Sequence, residues 1–284
     1  MASEDKKILI VSLGSSFAAG PGISPQIEPF SAKRSGQNYP HLLAKELDAD
    51  LTDLSVSGAT LLNITREPQT PAFSNDTFPP QISSVPEDAD IITVTAGGND
   101  IGYIGNMIQD AESATTLGWA ASTLVQGVRS FKSIFSQPST QINGPLSPEE
   151  LPERLGDTLD KLHERAPRAR IYLVEYLAVL GPCTKPHVDI TFDQETIDHH
   201  SQVANALQQA YAVAVATRSD WCERVPIHEC SLEHALGSQE PWVNGFSHSL
   251  IREGAVLHPN LNGMKAVAGI LLKTIRKGTL KQAE

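Results

Sequence analysis

KKILIVSLGSSFAAGPGI, residues 6–23, carries an apolar run that stops abruptly at Gly14. Two hydroxyls follow, Ser15 and Ser16, and then a loop of Gly, Ala and Pro. A short run rich in Ile and Val reads as a buried strand, here Lys7 to Leu13. Two readings of its end stand. It is an ordinary strand-to-helix turn, or it aims a nucleophile from the edge of a sheet. A serine hydroxyl is a poor nucleophile at neutral pH and needs a base within hydrogen-bond reach and donors for the oxyanion that forms. Ser16 is the candidate, because a helix starting nearby adds free N–H groups and its dipole, and the serine's own N–H is a natural first oxyanion donor.

Similar segments recur along the chain. NYPHLLAKEL (Asn38–Leu47) has helical spacing, and DLTDLSVSG (Asp50–Gly58) reads as a second strand. Leu61 to Val85 reads as a long surface excursion. ADIITVTAGGND (Ala89–Asp100) is the clearest strand, ending in two glycines, Asn99 and Asp100. From Ile101 to about Ser136 the pattern is helical, with Met107, Leu117, Trp119, Leu124, Val128 and Phe131 as apolar points. A linker precedes SPEELPERLGDTLDKLHERAP, where Ser147 is a cap candidate and Pro148 takes the first helical position. ARIYLVEYL is another strand, FDQETIDHHSQVANALQQAYAVAVAT a long helix, ERVPIHEC a short strand, and a last helix begins near Asn260. This alternation predicts a parallel sheet with helices on both faces, as one domain over residues 1–284 with a helical insertion at about 101–150. In such sheets ligands bind at the carboxyl ends of the strands. Ser16, Gly58 and Asn99 all follow such ends.

Composition narrows the function. A net charge of −11 argues against nucleic acid or an anionic membrane as the main partner, since both require clustered Lys and Arg. No apolar stretch is long enough to span a bilayer. The opening MASEDKKILIVSLG lacks the pattern of a signal peptide, so either the protein is intracellular or a leader has been removed. Cys183, Cys222 and Cys230 are an odd set: Cys222 and Cys230 pair across a short loop, or all three are thiols. Asn63 and Asn75 open glycosylation sequons of a kind that is frequent by chance. His199 and His200 are adjacent in a helix and face different directions. With no HxxxH or CxxC spacing, neither a metal nor another cofactor is expected.

The remaining candidates complete an acyl-transfer site. Gly58 in SVSGAT lets the backbone approach a substrate and offers a second N–H donor. Asn99 in TAGGNDIG places an NH₂ as a third donor, while Asp100 is expected to cap the following helix. His258 in VLHPNLNG is the candidate base, because Pro259 keeps it extended and out of the last helix.

SLGSSFAAGPG, SVSGAT, TAGGNDIG and LHPNLNG resemble, in order and type, the four blocks of the SGNH (GDSL-type) hydrolases, from Ser12 to Gly263. SGQNYPHLLAKEL and PWVNG are similar to the branch of secreted bacterial esterases and lipases. The resemblance implies a three-layer α/β/α sandwich with a parallel, flavodoxin-like central sheet. It implies Ser16 as nucleophile, His258 as base, and an oxyanion hole of the Ser16 N–H, the Gly58 N–H and the Asn99 side chain.

Two departures matter. The family's Gly-Asp-Ser is Gly14-Ser15-Ser16 here, and the Asp usually three residues before the His is Ala255. A triad Asp orients the imidazole and stabilises its cation. The Ala255 backbone carbonyl is expected to accept the Nδ1–H instead, giving a Ser-His dyad, with Glu253 as a less favoured acid. A neutral carbonyl stabilises the cation less, which predicts a slower enzyme or a more alkaline pH optimum. The expected activity is hydrolysis of short- or medium-acyl or lipid esters, with the segment after Asn99 as a pocket wall, a partial lid or plain core. A catalytically impaired binding protein of the same fold is the alternative. A nucleotide-binding protein is remote, because GSSFAAGPG lacks P-loop chemistry.

Overall fold

Ile10, Val11 and Leu13 are fully buried, and the strand they build, β1 (Leu9–Gly14), lies inside the sheet, as a run apolar on both faces requires. The structure is a computed structural model and describes residues 6–72, 74–117 and 146–282. The strands are β1, β2 (Gln26–Ile27), β3 (Arg34–Ser35), β4 (Asp50–Asp53), β5 (Ile91–Thr95), β6 (Arg170–Val174) and β7 (Cys222–Val225). The helices are α1 (Ser16–Ala19), α2 (Tyr39–Leu47), α3 (Leu61–Thr65), α4 (Tyr103–Leu117), α5 (Leu151–Arg165), α6 (Gln194–Ala216), α7 (Ile227–Ser231), α8 (His248–Glu253) and α9 (Leu261–Gln282).

Five strands form one sheet in the order β4-β1-β5-β6-β7, every neighbour parallel. β2 and β3 make a separate antiparallel pair. The main order is that of flavodoxin-like sheets, whose switch point lies between the first and third sheet strands. Here that point is the β1–β5 pair, which remains in register to Gly14 opposite Thr95. Helix α2 packs on α9 and α5 packs on α6, so the sheet lies between helical layers.

Local chemistry sets the ends. Asn38 caps α2 by accepting the His41 N–H, and Asp193 caps α6 by accepting that of Thr196. Gly14, at φ 142°, ends β1 where a Cβ would stand 2.3 Å from the Thr95 carbonyl oxygen.

Several expectations need correction. β4 stops at Asp53 rather than Gly58, although the Leu54 and Val56 amides still donate to the Ser12 and Gly14 carbonyls. The Leu61–Val85 segment is not wholly on the surface. Its first part is α3, held by a Thr60–Asn63 capping box, and Asn63 is buried there, which removes its sequon from reach. Gln81 is buried at the other end. Ser147 does not cap α5. It starts a turn in which its N–H donates to the Glu150 carboxylate, and the proline in the first turn of the helix is Pro152. Along α4, Tyr103, Ile104, Met107 and Ile108 are buried in the core, and the helix contacts α6. Trp119, Leu124, Val128 and Phe131 lie outside the described residues. The cysteines are free thiols: Cys183 and Cys230 are exposed, and burial pushes the Cys222 thiol up to about 12. His200 bonds Asp110 of α4 at 2.9 Å, and no metal-binding cluster exists among the described residues.

Asp100 caps a different helix from the one expected. Both of its oxygens accept the Leu61 N–H at the start of α3, at 3.1 and 3.2 Å. Burial pushes its carboxyl up to about 7, against the opposing pull of the Leu61 N–H and Arg154. The folded pKa thus exceeds the unfolded one, and this contribution to stability is lost as pH rises from about 4 through 7. Asp100→Asn keeps an acceptor for Leu61 but cannot ionise. Its unfolding free energy should therefore fall less than that of the wild type between pH 4 and pH 8, in urea titrations at both pH values. Gly14→Ala should cost about 3 kcal/mol or more in the same assay, because the new methyl meets backbone on a strained φ.

Candidate active site

Ser16 is the first residue of α1, placed there by a turn held from both sides. The Ser15 N–H donates to the Thr95 carbonyl at 3.0 Å. The Ser15 and Tyr176 hydroxyls bond at 2.7 Å, and the Tyr176 ring packs on Phe17 at 4.4 Å. The position the family gives to an acid is thus filled by a neutral hydroxyl pair. Gly98 makes room for it, since a Cβ there would stand 2.8 Å from the Tyr176 ring.

The Ser16 Oγ lies 2.8 Å from His258 Nε2. The other ring nitrogen, Nδ1, is 2.7 Å from the Val256 carbonyl. A carbonyl only accepts, so Nδ1 carries the proton and the Nε2 lone pair faces the serine hydroxyl. The expected orienting group, the Ala255 carbonyl, is committed elsewhere: it accepts the Asn244 side chain at 3.1 Å and the His258 N–H at 3.2 Å. Leu257, at φ 58°, curls the chain so that the carbonyl two residues before the histidine reaches the ring. Glu253 ends α8 with an exposed side chain, and its carbonyl accepts Lys33 Nζ at 3.3 Å.

His258 is buried, with its ring 5.3 Å from that of Phe17. Burial pushes its pKa down to about 4; the Val256 carbonyl pulls upward and the Lys33 charge adds to the fall. Burial thus biases the ring toward its neutral, proton-accepting form.

The other two loops stand at neighbouring strand ends. Gly58 has φ 85°, which favours glycine, and follows the strand beside β1. The Asn99 side-chain NH₂, after β5, donates to the Ala59 carbonyl at 2.9 Å. One of its two hydrogens is thereby anchored beside the Gly58 peptide, and the second is left for another acceptor. The first turn of α1 leaves the Ser16 N–H without an intrahelical partner.

Two residues that hold these loops escaped the sequence reading. Asn244, within PWVNG, brackets the histidine loop: its N–H donates to the His258 carbonyl at 2.8 Å while its side chain holds Ala255. Gln81 bonds the main chain of Gly14. The PWVNG block was a signal for the first, and nothing local marked the second.

Residues 12–266 match the GDSL-like lipase/acylhydrolase family. Lipase 2 of Streptomyces coelicolor is 25% identical over 266 residues, covering 91% of this chain and 82% of that protein. The extracellular lipase of Streptomyces rimosus superposes with a TM-score of 0.62 at 20% identity, over 94% of this chain and 98% of the other. The phospholipase A1 of Streptomyces albidoflavus NA297 gives 0.67 at 15% identity over the same shares. No helix among the described residues is long and apolar enough to cross a membrane. With the family match spanning most of its length and a serine–histidine contact at the sheet edge, the chain belongs to the GDSL-like lipase/acylhydrolase family and is an ester hydrolase.

Proposed function

We propose that the protein hydrolyses carboxylic esters through an acyl-enzyme, with Ser16 as nucleophile and His258 as base. The observation that carries this reading is the 2.8 Å contact from Ser16 Oγ to a histidine nitrogen whose tautomer is set by a carbonyl. Ser16 attacks the ester carbonyl while its proton passes to Nε2. The Val256 carbonyl keeps the ring oriented as it becomes a cation. The negative oxygen of the tetrahedral intermediate is received by the Ser16 N–H, the Gly58 N–H and the free hydrogen of the Asn99 amide. The imidazolium then protonates the leaving alcohol, and water repeats the sequence on the acyl-serine.

A base with so low a pKa is present at all ordinary pH values but draws protons weakly. A neutral carbonyl also stabilises the cation less than a carboxylate. Both favour a modest turnover. Short- or medium-acyl and lipid esters are the proposed substrates, a class supported by the named activities of the Streptomyces relatives.

A panel of p-nitrophenyl esters of increasing chain length tests this. Ser16→Ala and His258→Ala should each lower kcat by about 1000-fold or more, and Asn99→Ala by about 100-fold. A Ser16→Ala variant as active as the wild type would refute the mechanism. The pH profile of kcat/KM provides a separate check. Activity requires neutral His258, so it should fall only as pH drops toward about 4 and stay level from pH 5.5 to 8. An acid limb centred near 6.5 would show that the ring is not desolvated in the working enzyme.

A further inference from the structure

Gln81 lies in a 3₁₀ turn, Gln81–Ser84, far along the chain from the reactive serine. Its side chain is 4% exposed and both ends are spent on one residue. Gln81 Oε1 accepts the Gly14 N–H at 2.8 Å, and Gln81 Nε2 donates to the Gly14 carbonyl at 3.0 Å. The carboxamide therefore imitates a peptide group of a neighbouring strand. β4 pairs with β1 only as far as Asp53 opposite Ser12; beyond it the Leu54 and Val56 amides still donate to the Ser12 and Gly14 carbonyls, and the Gly14 N–H goes to Gln81. On the other side β5 continues to Gly14 and Ser15 through Thr95. Without Gln81 the Gly14 carbonyl would keep the Val56 N–H, but the Gly14 N–H would lose its acceptor.

Gly14 is two residues before Ser16 and has a φ that most residues avoid. A backbone in such a conformation persists when its surroundings over-determine it. We infer that Gln81 is a positioning residue for the nucleophile. It completes the sheet ladder at Gly14, and this fixes the direction in which the turn delivers the Ser16 hydroxyl and N–H. The inference rests on the proposed role of Ser16. Misplacing a reacting atom by about 1 Å costs on the order of 100-fold in rate, so the clamp should be read in kcat and not in substrate affinity.

Gln81→Met preserves length and removes both bonds. Gln81→Glu preserves shape and, when ionised, accepts from the Gly14 N–H but cannot donate to its carbonyl; when protonated it can do both. With p-nitrophenyl butyrate, Gln81→Met should lose about 30- to 100-fold in kcat with KM within about 3-fold, in protein shown folded by circular dichroism. Gln81→Glu should lose activity relative to the wild type as pH rises, the ratio recovering toward acid as the carboxyl regains its proton. A kcat within 3-fold of wild type in folded Gln81→Met, or a rise in KM with kcat intact, would overturn the inference. Should Gln81→Met fail to fold, the pH-dependent ratio of Gln81→Glu decides: a ratio flat with pH overturns it. Amide hydrogen exchange of the peptide spanning Gly14 to Ala19 separates the two readings. Faster exchange in Gln81→Glu at high pH supports the clamp even in a wild type inert to esters and fluorophosphonate, an outcome that would sink the esterase mechanism alone. Unchanged exchange sinks the clamp.

Discussion

The hydrogen bond from Ser16 to His258 joins residues 242 positions apart, and each end is held by a different set of constraints. At the serine end, β5 grips Ser15 through the Thr95 carbonyl, Gln81 grips Gly14, and the Tyr176 hydroxyl takes that of Ser15. At the histidine end, Asn244 holds both the Ala255 and the His258 carbonyls while Val256 holds the ring. Phe17 touches both sides, packing on Tyr176 and on the imidazole. The sheet supplies the common frame, because the switch between β1 and β5 opens the crevice in which the two sets face each other.

Nearly all of these supports are uncharged. A hydroxyl pair replaces the acid beside the nucleophile, and a peptide carbonyl replaces the acid beside the base. Neutral supports need less desolvation than buried carboxylates, so the whole assembly can be packed tightly. Burial of the imidazole lowers its basicity, the Lys33 charge adds to the fall, and the Val256 carbonyl opposes it. The geometry is firm while the electrostatic drive is weak.

Much of this could be read in the sequence, for physical reasons that differ by element. The Ile- and Val-rich runs at Ile10 and Ile91 are buried on both faces, and their limits fall close to those expected. Ser16, Gly58, Asn99 and His258 could be picked out as candidates because each follows a strand end or stands beside a Gly or Pro at a helix start. The orienting carbonyl was misplaced by one residue, because a backbone group carries no side-chain signature and its direction depends on the left-handed Leu257. Gln81 was invisible for a related reason. A side chain that bonds main chain 67 positions away leaves no periodicity, and its Pro- and Ser-rich surroundings resemble surface loop. Ser147 misled in the opposite way: a good cap residue sat one turn too early, and Glu150 used its amide instead.

The flavodoxin-like order also has a consequence for how the molecule is made. Ser16 follows only β1 of the main sheet in translation order, whereas His258 comes after all five of its strands, just ahead of α9, which packs back on α2. Domains tend to acquire structure as they leave the ribosome, N-terminal portions first. The 2.8 Å contact between Ser16 and His258 can form only once that interval has passed. On the proposed mechanism, a polypeptide that ends before His258 is therefore silent toward esters.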